Sequence, residues 1–201
     1  TKAVVFVLSG RILAVTGSTR IDAVRGLLQT RPRIAVPFLA GMAALLGFPP
    51  FSLFFSEVGI LLAAWRAGET GYPLVDAAMR QLRATGWLPH ALRALIVGCA
   101  SHALWLPWQR LDHFLAQQWL DYEPGVHLDQ VQQHAGVGPD APPRLPDPVA
   151  LGRAHDPTGA YVRRWLPALR ALPTDYLHQP WLLPEVEQER LGFRIGTHYP
   201  A

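Results

Sequence analysis

Charge is what this sequence has least of. Only 16% of its 201 residues are Asp, Glu, Lys or Arg, against about a quarter in an ordinary domain, while half are hydrophobic. Lysine is nearly missing, with Lys2 alone among 18 basic residues. There is a single cysteine, Cys99, which excludes an internal disulfide framework; its apolar neighbours predict a buried, inert thiol. The eight histidines form no HxxxH or HExxH pattern, so no metal site is expected. The chain opens TKAVVF without a methionine, so no signal peptide can be read, and the natural start is expected to lie upstream.

The charge that is present is unevenly divided. Residues 1–70 hold Lys2 and six arginines against Asp22, Glu57 and Glu69, giving 7 − 3 = +4; residues 71–201 hold eleven arginines against twelve acids, giving −1. The larger part therefore has no global charge signature for nucleic acid, though a local basic patch stays open.

Between Ile34 and Trp65 the only charged residue is Glu57. One straight helix over these 32 residues would run roughly 48 Å, well beyond the ~30 Å of a bilayer's hydrocarbon. Gly47 with Pro49-Pro50 should break it, since proline removes a donor and clashes with the preceding turn. The pattern predicts two spans or half-spans, 34–47 and 51–65. The arginines of the connector TGSTRIDAVRGLLQTRPR put that loop on the cytoplasmic side. A carboxylate inside a membrane is costly, which makes Glu57 a candidate for a proton relay or ion path; the alternative is an interfacial helix cap.

TKAVVFVLSG, IDAVRGLL and GMAALLGFPPFSLFFSEVGIL resemble late transmembrane helices of proton-translocating antiporter-like subunits, those of group 4 hydrogenases (the hydrogenase-4 type above all) and of respiratory complex I. The resemblance implies that Lys2 and Glu57 are ionisable residues of a proton path. Such subunits carry many more spans than the three this chain offers.

From residue 70 the pattern changes. In YPLVDAAMRQLRATGW, Leu74, Val75, Ala78, Met79 and Leu82 recur at helical spacing, while Asp76, Arg80 and Arg83 take another side, where Asp76 and Arg80 can pair. Pro73 starts this helix and Gly86 ends it. Apolar HALRALIVGCASHALW and PWQRLDHFLAQQWLD predict two more helices. EPGVHLDQVQQHAGVGPDAPPRLPDP reads as weakly structured loop. Asp156-Pro157 reads as cap and first residue of a helix TGAYVRRWLPALRAL, and a short helix is expected around 184–191. No segment reads as a strand, so the fold class is all-α.

AWRAGETGYPLVDAAMRQLRATGW, LRALIV, LPWQRLDHFL, LDYEPGVH, HDPTGAYVRRWLPALRALP and YLHQPW stand in the order of the C-terminal, FAD-binding half of the photolyase/cryptochrome family, which the chain resembles from about Trp65 to Trp181. The resemblance implies a helical domain clasping a U-shaped FAD. It implies DNA as a partner, and light-driven repair (a deoxyribodipyrimidine photolyase-like lyase) or blue-light signalling. It places Arg93 and Asp121 as an ion pair beside the flavin ring, Glu123 at the ring's polar edge, His127 near flavin N5 and Trp108 as the middle tryptophan of an electron-transfer chain. Val131 and Gln133 stand where the two other tryptophans of that chain are expected, and Pro89-His90 replaces a His-Asn pair. The hydroxyl-rich loop for the pyrophosphate has no counterpart, so weakened FAD binding is expected. Apart from the family, Trp108 reads as an ordinary core aromatic, Asp121 as a loop cap and Arg93 as a structural ion-pair partner pointing inward from an apolar helix.

These readings predict a chimera joined within ILLAAWRAGETG: an antiporter-like fragment over 1–64 and a flavin-domain fragment over 65–201. Residues 34–65 would hold it to a membrane with 65–201 in the cytoplasm; without insertion the whole chain is cytoplasmic. The alternatives are a truncated proton-translocating subunit with an idle soluble tail, and a fusion in which neither part works.

Overall fold

Glycine and proline set where the helices begin and stop. The computed structural model describes residues 2–18, 20, 24–46, 48, 52–138 and 146–200, and it divides into two units, Thr1–Ile60 and Leu61–Ala201. Among the described residues there is no strand, only an isolated bridge between Ile195 and Tyr199.

The first unit holds α1 (Lys2–Thr16), α2 (Leu27–Thr30), α3 (Pro32–Leu45) and the start of α4 (Ser52–Ala67). Pro32 sits at the first position of α3, where a missing N–H leaves nothing unsatisfied. α3 packs on α1 at Gly41, where a Cβ would lie 2.7 Å from Val5 Cγ2. Little else is covered: of the three helices wholly inside this unit, only Ala35 and Gly41 of α3 are buried. Phe6, Val7, Leu46, Phe55 and Ile60 all face outward.

The two segments expected as spans or half-spans, 34–47 and 51–65, appear as helices of about the expected length. α3 and α4 have 14 and 16 residues and rise about 21–24 Å. No described helix is long and apolar enough to cross a membrane. The expected breakers Gly47, Pro49 and Pro50 fall outside the described residues. Lys2 and Glu57 are exposed.

The second unit begins within α4 and continues through α5 (Pro73–Thr85), α6 (His90–Gly98), a π-helical turn (Cys99–Ala103), α7 (Trp108–Ala116), α8 (Pro124–His134), α9 (Pro148–His155), α10 (Ala160–Trp165), α11 (Thr174–Leu177) and α12 (Glu185–Leu191). Trp65 is fully buried, its indole N–H donating to the Ile96 carbonyl (3.0 Å) and its ring edge-on to Phe114. α5 ends as expected at Gly86, whose φ of 68° a side chain would resist.

Asp76 overturns the expected polar face of α5. It does not look outward toward Arg80; it is wholly buried and accepts from Thr70 N and Oγ1, Gly71 N and the Tyr199 hydroxyl. The segment read as loop is also corrected: Pro124 opens α8 at its first position and Glu123 caps it. Asp156 is displaced from its expected place. The cap of α10 is Gly159, and Asp156 reaches forward to the amides of Tyr161 and Val162 (3.0 Å each). Pro167 then ends α10 and a 3₁₀ turn follows. Val162, Leu166, Leu169, Leu172 and Leu177 close over Ala77, and Phe193 and Tyr199 join the same cluster.

Candidate functional site

The loop after α7 is positioned by the end of α5. Leu120 N donates to the Gly86 carbonyl (3.0 Å), and a Cβ on Gly86 would stand 2.6 Å from Leu120 Cγ, so the glycine is what lets this loop approach. The loop carries Trp119, Asp121 and Glu123 and runs into α8, which carries His127.

Arg93 projects from α6 toward it. Its Nε donates to the Leu88 carbonyl (2.8 Å), Nη2 donates to Asp121 Oδ2 (2.7 Å), and the guanidinium lies 4.2 Å over the Trp119 ring. The hydrogen bond from Arg93 holds the Asp121 carboxyl below the usual carboxylate range. The expected pair therefore forms, but its expected burial does not: the Arg93 and Asp121 side chains are 17% and 50% exposed. Trp119 was not singled out from the sequence; an aromatic two residues before the acid was the available signal.

Glu123 is exposed, and its carboxylate accepts from Val126 N (2.8 Å) across the first turn of α8. His127 is buried one turn further along. Its Nε2 lies 3.3 Å from the Asp112 carbonyl oxygen and 3.2 Å from Asp112 Oδ1, and its ring meets Tyr122 edge-on. Asp112, from α7, is a second residue sequence reading passed over. Its Oδ1 is buried and takes no hydrogen bond of good geometry, despite the nearby imidazole. Trp108 is half-buried at the start of α7; on α8, Val131 is buried and Gln133 exposed. Lys2 and Glu57 belong to the other unit.

The loop and α8 thus carry two kinds of group, the exposed carboxylates of Asp121 and Glu123, which can accept hydrogen bonds, and the buried imidazole of His127. This suits the polar edge of an isoalloxazine, which presents an N–H between two carbonyls. It supplies nothing for a diphosphate. None of Arg93, Asp121, Glu123 or His127 lines either of two cavities in residues 61–201, of about 790 and 560 Å³.

Comparison with known proteins gives two family matches, which overlap over 54–75. Residues 54–201 match the FAD binding domain of DNA photolyase, and residues 1–75 match the NADH:quinone oxidoreductase/Mrp antiporter transmembrane family. Over 139 residues the chain is 42% identical to Cryptochrome-1 of Arabidopsis thaliana, which covers 68% of this chain and 20% of that protein. Over 141 residues it is 36% identical to a deoxyribodipyrimidine photo-lyase of Alkalihalophilus pseudofirmus, covering 69% of this chain and 29% of the relative. A bacterial class III photolyase from Agrobacterium tumefaciens superposes with a TM-score of 0.67 at 28% identity, over 89% of this chain and 41% of its own. The Synechocystis cryptochrome gives the same TM-score and identity over 97% of this chain and 41% of its own. The chain spans less than a third of the length of these curated relatives. By the match over 54–201, it belongs to the family of the FAD-binding domain of DNA photolyase.

Proposed function

We propose that residues 65–201 form the ring-side part of a flavin site of photolyase/cryptochrome type, holding FAD weakly for want of a phosphate cradle. The Arg93–Asp121 pair seated on Trp119 carries this reading, because it fixes one carboxylate at the loop edge while leaving it open to a ligand. FAD, when bound, supplies light-driven one-electron transfer. The chain's own residues would then divide the work: Asp121 and Glu123 would accept from the ring edge, Arg93 would keep Asp121 ionised and in place, and His127 would stand by the ring's N5 side. DNA is the macromolecular partner this reading implies, with dimer repair of the lyase type or blue-light signalling as the two outcomes. Calorimetric titration of FAD into the full chain tests it. Weak binding, lost in Asp121→Ala, is expected; the thermal shift should be small, as it scales with RT ln(1 + [L]/Kd). No binding at all refutes the reading, and submicromolar binding refutes the role given to the missing cradle.

A second reading draws on the match of residues 1–75 and on the outward apolar side chains of that region. In it the chain joins a fragment of a proton-translocating subunit, of the hydrogenase-4 or complex I type, to the flavin-domain fragment. Residues 34–65 then associate with membrane, residues 65–201 lie in the cytoplasm, and Lys2 and Glu57 are remnants of a proton path. Full chain that stays monomeric in a high-speed supernatant without detergent removes this reading. Sequencing the DNA across codons 58–72 in independent isolates tests whether the junction is real. A junction that recurs supports a fusion, and one that disappears leaves an assembly error.

A further inference from the structure

The cavity of about 560 Å³ lies among α5, α6, α9 and α10, apart from the Asp121 loop. Its size falls in the range of small-molecule sites, roughly 300–1,000 Å³. Leu74, Leu92, Leu95 and Leu151 make an apolar lining, and the half-buried Trp165 ring forms one wall. Polar groups converge from one side. The Tyr161 hydroxyl donates to Gln81 Oε1 (2.7 Å), which leaves the phenol oxygen free to accept, and burial pushes that phenol's pKa up, keeping it protonated. Asp156 also lines the cavity, but its carboxylate is taken by the amides of Tyr161 and Val162.

Two cationic or donor side chains, Arg164 and His155, are exposed among the lining residues. Arg164 lies 5.5 Å over Trp165, and among the described residues no carboxylate or hydrogen-bond acceptor engages it. An unpaired guanidinium stacked beside an aromatic wall, above an apolar floor, matches a ligand that is flat at one end and negative at the other.

We propose that this cavity binds a small aromatic anion, one or two fused rings bearing a single phosphate or carboxylate. The ring lies against Trp165 and the leucines, any donor group on it meets the Tyr161 oxygen, and Arg164 with His155 holds the anion at the mouth. This site is independent of the flavin reading, since it shares no residue with the Asp121 loop.

The test is equilibrium dialysis of 1-naphthyl phosphate against the full chain, with 1-naphthol and inorganic phosphate as separated halves. The phosphate ester should bind more tightly than either half. Arg164→Gln should weaken it about tenfold, the loss of one charge-assisted contact, while leaving 1-naphthol unchanged. Ala91 is exposed at the lining, so Ala91→Trp plugs the cavity without entering the core; it should abolish binding of both aromatic probes while melting like wild type. Asp121→Ala should leave all three measurements unaltered, which separates failure here from failure of the flavin site. No binding of the ester, or equal binding in Arg164→Gln or in Ala91→Trp, overturns the proposal.

Discussion

Asp121 and Asp76 are two carboxylates whose surroundings send their proton affinities in opposite directions. Asp121 is half exposed, so its pair with Arg93 is worth about 1 kcal/mol or less, far below the ~3–5 kcal/mol for breaking a buried pair. Asp121→Ala should therefore melt close to wild type. Arg93→Ala should cost more, about 2 kcal/mol, because it also loses the Leu88 carbonyl and the Trp119 face. Since Asp121's folded-state pKa is depressed, its contribution is present above the unfolded carboxylate value and disappears as pH falls through the folded one. Melts of wild type and Asp121→Ala should thus converge in acid. Burial does the reverse to Asp76, raising its pKa against four hydrogen bonds that pull it down. Its charged form is what the folded state tolerates poorly, so its donors matter most at neutral pH. Tyr199→Phe should lower stability by about 1–3 kcal/mol there, and by less as Asp76 takes up its proton on acidification. A deficit that grows toward acid would contradict this assignment.

Among the elements, α5 was the most legible, because its apolar residues keep one period and Pro73 and Gly86 mark both ends. Asp76 was not, since nothing local says that Tyr199 will come back to cover it. α8 was hidden by its own start: Pro124-Gly125 reads as a turn, yet proline at the first helical position is well tolerated, and Glu123 supplies the cap. Glu123→Ala should cost about 0.5–2 kcal/mol as the Val126 amide loses its acceptor. The start of α10 moved from Asp156-Pro157 to Gly159 because a left-handed residue is needed there, at φ 72° and against Leu177. Gly159→Ala should be the more damaging of the two substitutions, joining backbone strain to a clash with the Leu177 side chain. If Gly159→Ala melts above Glu123→Ala, the packing around α10 has been misread.

For the whole molecule, the motif order carried the helical fold of the larger part, and the apolar run of the first part was legible as two short helices. An apolar run states what a segment avoids but not whether it spans a bilayer; no described helix, α3 and α4 included, is long and apolar enough to cross one. The Arg93–Asp121 partnership was legible through the family likeness. Its exposure was not, since exposure depends on every segment that packs around it. The electron path is also a property of the whole: Val131 and Gln133 put an aliphatic and an amide where relay tryptophans are expected. Flavin bound to the full chain should photoreduce slowly under blue light. Rapid reduction that Trp108→Phe abolishes would show a working route despite them, with exposed Trp105 the next residue to replace.

The bond between Tyr199 and Asp76 also bears on biosynthesis. Asp76 leaves the ribosome 123 residues ahead of Tyr199, a delay of roughly 6–25 s at ordinary elongation rates. Through that interval α5 can form its helix but has no phenol to complete the shell around its carboxylate, and the cluster of Val162, Leu166 and Leu177 that covers it is also unmade. α5, the described helix with the most buried residues, must therefore wait uncovered, and synthesis past Tyr199 rather than local helix formation sets when the domain closes.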